Sequence, residues 1–326
     1  MATIRDVARI SGYSISTVSR TINQSGYVSK TAQLQINRVI HQLDYVPNAI
    51  ARDLSTGKTH KIGAILPHIR DPYFSKILNG IMDAAFANNY SVILLPSEYD
   101  EAQEMHYLEQ LKRKEYDGLI VTSHGIPLER LEKYNQYGPI VCCEDTGAKQ
   151  LNAVFSDRES AYTTAFNWLK QKQIKRIAFL FSRRAGVSAT SSITLKTFAQ
   201  VYGDLPPDNL VITGVSTPAE GYFAAKTLNK QATDLQYIFG NGDDIISGVR
   251  QYYVDHQLPL PGLIGQGHQI SGVAIGIPTI DPHFYTIGGQ ALQLVLEPTD
   301  GVRKIKVHSD FIINNKIDLT PNTFIK

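Results

Sequence analysis

Apolar residues recur along this chain at two different periods. Near its start, Ile4, Val7 and Ala8 fall at i, i+3, i+4, and Val18 and Ile22 at i, i+4, the spacing of one helix face. Ile36, Val39, Ile40 and Leu43 repeat that spacing in "VSKTAQLQINRVIHQLDY". Thr3 is placed to cap the first predicted helix, with Asp6 three residues on at its positive end, and Ser16 to cap the second. Gly12 sits in the break between them. Two short helices joined by a Gly-containing turn, and then a third, predict a helix-turn-helix with a small three-helix core over residues 1–45.

Beyond Lys61 the pattern changes. Short apolar runs ("IGAILP", "YSVILLP", "DGLIVTS", "IKRIAFLF", "LQYIFG", "GLIGQG") alternate with helical stretches such as "FSKILNGIMDAAFANN", "EAQEMHYLEQLKRK" and "AYTTAFNWLKQKQ". This rhythm predicts an α/β class of doubly wound parallel sheets covered on both faces, and residues 61–326 are enough for two of them. Between head and body, residues 46–60 read as a helix of about two turns opened by Pro47, followed by the polar linker "STGKTHK". So short a helix is not stable alone in water. It suits a segment that folds when two copies meet on DNA, with Leu54 as an apolar wedge for the minor groove. An ordinary linker whose Leu54 packs on the body is the alternative.

Composition alters this picture little, and charge alters it more. Of 326 residues, 43% are apolar and 19% charged, as in ordinary globular proteins. No run approaches the ~20 apolar residues of a membrane-spanning helix, and no secretory leader is visible. The two cysteines are adjacent, Cys142 and Cys143, inside the apolar run "GPIVCCEDTG", and read as reduced core thiols. A cytoplasmic protein is the expectation. Net charge is only +2 but uneven. Through Lys61 there are eight basic residues (Arg5, Arg9, Arg20, Lys30, Arg38, Arg52, Lys58, Lys61) against three acidic ones (Asp6, Asp44, Asp53), a net +5 that leaves −3 for the remainder. A basic head on a mildly acidic body points to a polyanionic partner. The N-terminal end of the second helix can enter a major groove and present Ile15, Ser16 and Arg20 to base edges. Arg20 can make a bidentate contact to guanine, while Ser14, Thr17, Ser19 and Asn23 are short donors suited to phosphate oxygens. A plain three-helix packing unit would show the same periodicity without touching DNA.

The motifs themselves narrow the choice. "TIRDVARISGYSISTVSRTIN", "GYVS" and "YVPNAIARDLSTGKT" resemble the N-terminus of the lactose-repressor/galactose-repressor family of bacterial transcription regulators. The likeness continues into the body through "GKTHKIGAILP", "DPYF", "YLEQLKRKEYDGLIVTS" and "YGPIVCCEDTG". The resemblance implies base reading by Ile15, Ser16 and Arg20 and minor-groove insertion by Leu54. It places further DNA contacts at Thr3, Ser29, Tyr45, Asn48 and Ala51. It also implies a homodimer on a pseudo-palindromic double-stranded operator. Asp53 departs from the family, which usually has a small polar residue there, and its carboxylate would be repelled by phosphate.

For the body, the resemblance implies a periplasmic-binding-protein-like pair of lobes. The N-lobe would comprise about residues 61–156 plus 285–307, and the C-lobe about 157–284 plus 308–326. Ligands of open α/β sheets bind at strand C-termini, where His68, Asp71, Tyr73, Phe74, Glu144, Asp243 and Phe284 are candidates. The resemblance gives pocket roles to Tyr73, Phe74, Glu144, Asp243 and Phe284. Core packing is the alternative for the aromatics, and helix capping in "NGDDIISGV" for Asp243. The family's usual effector-gripping Arg falls at Thr194, its Asn at Gly242, its Asp at Gly267 and a polar Gln at Pro282. Tight binding of a free sugar is therefore not expected. A different small-molecule effector remains open, as does a protein partner. The family's catabolite-control members imply a serine-phosphorylated phosphocarrier protein for that role.

Two other classes fit less well. A sugar-binding transport protein on the same body would carry a signal peptide and lack the basic head. An enzyme would need a reaction centre, and no G-x-G-x-x-G after a strand, P-loop, zinc-spaced His/Cys set or nucleophile elbow occurs. The nine histidines are scattered, with His106 and His308 reading as surface positions. No catalytic residue, metal or cofactor is expected.

Overall fold

The computed structural model of the protein describes residues 2–48, 53–54, 56–69, 72–297 and 301–313. The chain divides into two compact units, Met1–His60 and Lys61–Lys326.

The first unit contains three helices, α1 (Ile4–Ser11), α2 (Ile15–Ile22) and α3 (Lys30–Gln42). Thr3 caps α1 in a capping box, in which its hydroxyl and amide pair with Asp6. Gly12 ends α1 with φ +75°, a left-handed cap that a residue with a Cβ adopts only under strain. Ser14, and not Ser16, caps α2. The backbone of Ser14 is extended and its hydroxyl accepts from the Thr17 amide at 3.2 Å, whereas Ser16 already lies within the helix. Val7, Ala8, Val18, Ile36 and Val39 meet in the buried core. Gln35 adds a tie by donating to the Ser11 carbonyl at 3.1 Å.

The second unit is built on two six-stranded sheets. The strands of the first are β1 (Lys61–Leu66), β2 (Ser91–Pro96), β3 (Gly118–Val121), β4 (Ile140–Cys142), β5 (Asn152–Asp157) and β11 (Lys304–His308). They lie in the order β11-β5-β4-β3-β1-β2, all parallel. Helices α4 (Pro72–Ala87), α5 (Glu101–Lys112), α6 (Leu128–Tyr134) and α12 (Phe284–Leu296) cover it. The second sheet contains β6 (Ile177–Phe181), β7 (Val211–Thr213), β8 (Tyr237–Gly240), β9 (Gly262–Gln266), β10 (Thr279–Asp281) and β12 (Asp310–Ile312). Their order is β12-β10-β9-β8-β6-β7, parallel except for the edge pair β10–β12. It is covered by α7 (Arg158–Gln171), α8 (Ala189–Tyr202), α9 (Pro218–Gln231), α10 (Asp243–Asp255) and α11 (Ile270–Ile275).

Strand β6 shows why both faces are covered. All five residues are buried: Ala178 and Leu180 join the α9/α10 core, while Ile177, Phe179 and Phe181 join the α7/α8 core on the other face. The chain passes between sheets three times, after β5, between β10 and α12, and between β11 and β12. At the second passage, α12 returns to pack closely on α4. A Cβ on Gly288 would come within 2.0 Å of the Ile77 carbonyl, and one on Gly80 within 2.0 Å of the Tyr285 carbonyl. Cys142 and Cys143 are buried, and burial pushes both thiols well above the ordinary range. No helix among the described residues is long and apolar enough to cross a membrane.

Candidate nucleic-acid interface and ligand cleft

In the head, burying Val18 against α1 and α3 sets the rotation of α2 and so decides which side chains face outward. Ile15 is 47% exposed, and Ser14, Ser16, Arg20 and Asn23 are exposed too. The hydroxyl of Ser14 lies 2.8 Å from those of both Ser16 and Thr17, so the three form one polar cluster at the start of α2. Asn23 donates to Ser19 at 3.2 Å, one turn apart. Arg20 forms no ion pair among the described residues, and its aliphatic stem passes over Gly26. A free guanidinium and short hydroxyls on one exposed helix end can donate to base edges and phosphates. Thr3 and Ser29 are exposed but their hydroxyls are engaged as caps of α1 and α3. Tyr45 is half-buried against the head core, and Asn48 is exposed. Ala51 lies outside the described residues. Leu54 sits in a helical turn that the Gly57 amide closes onto the Asp53 carbonyl at 2.8 Å, and it is 87% exposed.

In the body, the strand C-termini of both sheets converge on a cavity with about 800 Å³ of empty space, counting the part open to solvent. The N-lobe side contributes His68, Tyr73, Phe74, Tyr99, Ser123 and Glu144. Glu144 accepts from the Ser123 hydroxyl at 2.8 Å and lies 3.4 Å from the His124 ring. The C-lobe side contributes Ser182 and Arg183 after β6, Ser188, Ala189 and Thr190 at the start of α8, Ser216 before α9, and Asn241, Gly242, Asp244 and Gln269. Arg183 lies over the Tyr99 ring at 4.1 Å, a cation–π contact from one lobe to the other.

Two of the five predicted pocket residues lie elsewhere. Asp243 is turned away from the cavity and is fully buried. It is the first residue of α10 and not its cap, which is Gly242. Its carboxylate accepts from the Gln269 amide and the Thr279 hydroxyl, both at 2.7 Å, and so holds the loop after β9 in place. Burial pushes this acid up to about 6, against the opposing pull of those two donors, His268 and Lys76. Its neighbour Asp244 lines the cavity instead. Phe284 is buried behind Tyr73, with ring centroids 4.3 Å apart, and supports that residue without reaching the cavity. Asp71 lies outside the described residues.

The substituted family positions have structural roles. Thr194 is a buried hydroxyl bonded to the Thr190 carbonyl at 2.8 Å. The carbonyls of Gly267 and His268 accept from Lys76 Nζ at 2.9 and 2.5 Å, joining α4 of the N-lobe to the C-lobe. Burial lowers the Lys76 ammonium below its ordinary value, while Asp281 and Asp243 oppose that shift. The Pro282 carbonyl accepts from Ser156 at 2.9 Å, tying two of the passages between lobes. Sequence reading missed the arginines that the fold supplies. Arg158 donates to Thr190 at 2.6 Å and to the Tyr73 hydroxyl at 3.1 Å, bridging the lobes. Arg183 lies two residues after the strand-like run "IAFLF", so applying the strand-end rule to β6 would have found it. Arg158 opens a helix and carried no such local signal.

Comparison with known proteins agrees with both parts of the chain. Residues 3–48 match the bacterial regulatory proteins of the lacI family, and residues 59–252 match the periplasmic binding proteins and sugar binding domain of that family. Catabolite control protein B of Bacillus subtilis is 35% identical, with 95% of this chain and 99% of that protein covered. Catabolite control protein A of Priestia megaterium is 27% identical over 90% of this chain and 91% of that protein. Among solved structures, the lac repressor dimer bound to operator and an anti-inducer superposes with a TM-score of 0.81 at 17% identity, covering 97% of this chain and 98% of that one. The chain belongs to the lacI family of bacterial regulatory proteins.

Proposed function

We propose that the protein is a homodimeric, sequence-specific DNA-binding regulator, mainly a repressor, of carbohydrate or carbon-catabolite genes. It acts in the cytoplasm, at the nucleoid, and catalyses no reaction. The observation that carries this reading is the exposed end of α2, where Ile15, Ser16 and Arg20, which has no ion pair among the described residues, project from a capped helix-turn-helix. One head contacts too few base pairs to find a site in a genome, so two heads on a pseudo-palindrome supply the specificity. Ser14, Thr17, Ser19 and Asn23 contact phosphates. Thr3, Ser29, Tyr45, Asn48 and Ala51 flank them, and Leu54 enters the minor groove.

The cleft receives the controlling signal, with Tyr73, Phe74 and Glu144 among its contacts. The relatives named catabolite control proteins support carbon status as that signal. A serine-phosphorylated phosphocarrier protein acting on the outer surface is the competing input. The polar lining of the cavity favours a small molecule.

Genome-wide mapping of bound DNA, followed by footprinting, tests the reading. The expected result is a two-fold related site beside carbohydrate genes. Arg20→Ala should lose roughly 1–3 kcal/mol on that site and much less on random DNA. A footprint on a single half-site, or equal loss on both DNAs, would refute it.

A further inference from the structure

The cavity carries a cluster of unspent donors and two carboxylates. A hydroxyl has one proton and two lone pairs, so a hydroxyl that only accepts from protein donors keeps its proton for another partner. Three on the C-lobe wall are in this state. Ser182 accepts from the Asn241 side-chain amide at 3.2 Å, Ser188 from the Ser191 amide at 3.3 Å and Thr190 from the Arg158 guanidinium at 2.6 Å. A backbone N–H and a guanidinium cannot accept, so the direction at Ser188 and Thr190 is fixed. None of the three donates to a described residue. Arg183 stands beside them, with the Tyr99 ring as its partner and no carboxylate paired to it among the described residues. Ser188 also caps the 14-residue helix α8, whose positive end adds to the same field. Two carboxylates also bear on the cavity: Glu144 on the N-lobe side, which accepts from the Ser123 hydroxyl, and Asp244 on the C-lobe side, in the first turn of α10. The rings of Tyr73 and Phe74 supply flat apolar surface.

We propose that the cleft takes a sugar phosphate, a polyhydroxylated molecule with one phosphate, the phosphate held by Arg183 and the free protons of Ser182, Ser188 and Thr190. The sugar hydroxyls donate to Glu144 and Asp244. This rests on the reading of the cleft as the effector site and names its ligand class. A neutral sugar offers these donors only hydroxyl and ring oxygens and leaves the Arg183 charge without a counter-charge. A ligand charged along its whole length meets two carboxylates. A tetrahedral oxyanion joined to a polyol satisfies both the donor cluster and the two carboxylates.

Titration calorimetry on the full-length protein tests this with hexose and pentose monophosphates, their unphosphorylated parents, the matching uronic acids and inorganic phosphate. At least one sugar phosphate is expected to bind about ten- to a hundredfold tighter than its parent sugar. Arg183→Gln should erase most of that preference, and Arg183→Lys should retain part of it. Thermal unfolding of each variant establishes that it is folded. A parent sugar binding as tightly as its phosphate, or Arg183→Gln with the preference intact, overturns the proposal and leaves the cleft as a site for another class. A uronic acid binding more tightly than any sugar phosphate reassigns the anion to carboxylate. Inorganic phosphate binding as well as the sugar phosphates removes the polyol half of the assignment. No heat with any probe overturns the ligand class and the cleft reading together, while the footprint still judges DNA binding independently.

Discussion

Asp243→Asn probes the joint between the cleft and the C-lobe core. The wild-type carboxylate is fully buried and takes two short hydrogen bonds, yet burial raises it from 3.8 to about 6. The folded protein therefore binds this proton more tightly than the unfolded chain does. Stability contributed by the protonated acid is fully present below about pH 4 and is lost as pH rises through about 6. At 1.36 kcal/mol per pH unit, the whole effect is about 3 kcal/mol, of which about 2 kcal/mol is regained by about pH 4.5. Asparagine has nearly the same shape but does not titrate, so this contribution vanishes in the variant. Other acids work the other way. At Asp281, burial is outweighed by His268, the His283 amide and the charges of both rings, and the carboxyl is held below its ordinary value. Its contribution is present at neutral pH and lost on acidification, so the difference between wild type and variant is the quantity to follow. Urea unfolding monitored by the single tryptophan, Trp168, reports on this lobe, because its ring packs on Tyr237 and Phe311. Relative to the variant, wild type should gain about 2 kcal/mol between about pH 7.5 and about pH 4.5. A difference constant to within about 0.5 kcal/mol across that range would refute the assignment of a burial-raised acid at this position.

Other perturbations address the remaining parts. Leu54→Ala should leave the dimer intact while reducing operator affinity and DNA bending, read by gel mobility of circularly permuted fragments; unchanged bending would make Leu54 a plain surface residue. Lys76→Met removes the ammonium that holds the Gly267 and His268 carbonyls across the lobes, and should speed amide hydrogen exchange in the loop after β9; unaltered exchange would show that the latch is idle. Glu104 is buried and accepts from Ser97 and from the Gly125 and Ile126 amides. Glu104→Ala leaves those donors unpaired and should cost about 3 kcal/mol or more in urea unfolding, while a loss under about 1 kcal/mol would mean that water replaces the carboxylate.

Local patterns carried much of this protein. The helix faces of the head follow from i, i+3, i+4 spacing, and the capping box from Thr3 and Asp6 being three residues apart. The alternation of apolar runs with helical stretches was enough for two doubly wound sheets, and the motifs for the family. The strand-end rule brought out His68, Tyr73, Phe74 and Glu144, which do line the cavity. Errors arose where two neighbours were chemically equivalent. Ser14 and Ser16 can both cap a helix, and only the backbone path into α2 selects Ser14. Asp243 and Asp244 are adjacent acids about 100° apart on a helix. Which one faces the cleft depends on the rotation that buries Ile246 and Val249 against β8 and its neighbours.

The cleft itself was decided by tertiary structure. Arg158 reaches Tyr73 across 85 residues, and Lys76 reaches the Gly267 carbonyl across 191. Parallel sheets join strands through long crossovers, and here the chain passes three times between two such sheets. Contacts formed in this way have no period and no local composition. They come from where strand ends meet after both cores have packed. A sequence thus specifies which residues are buried and which helices form from interactions within a few turns, while the charges that face one another across the cavity are set by the closing of the two lobes.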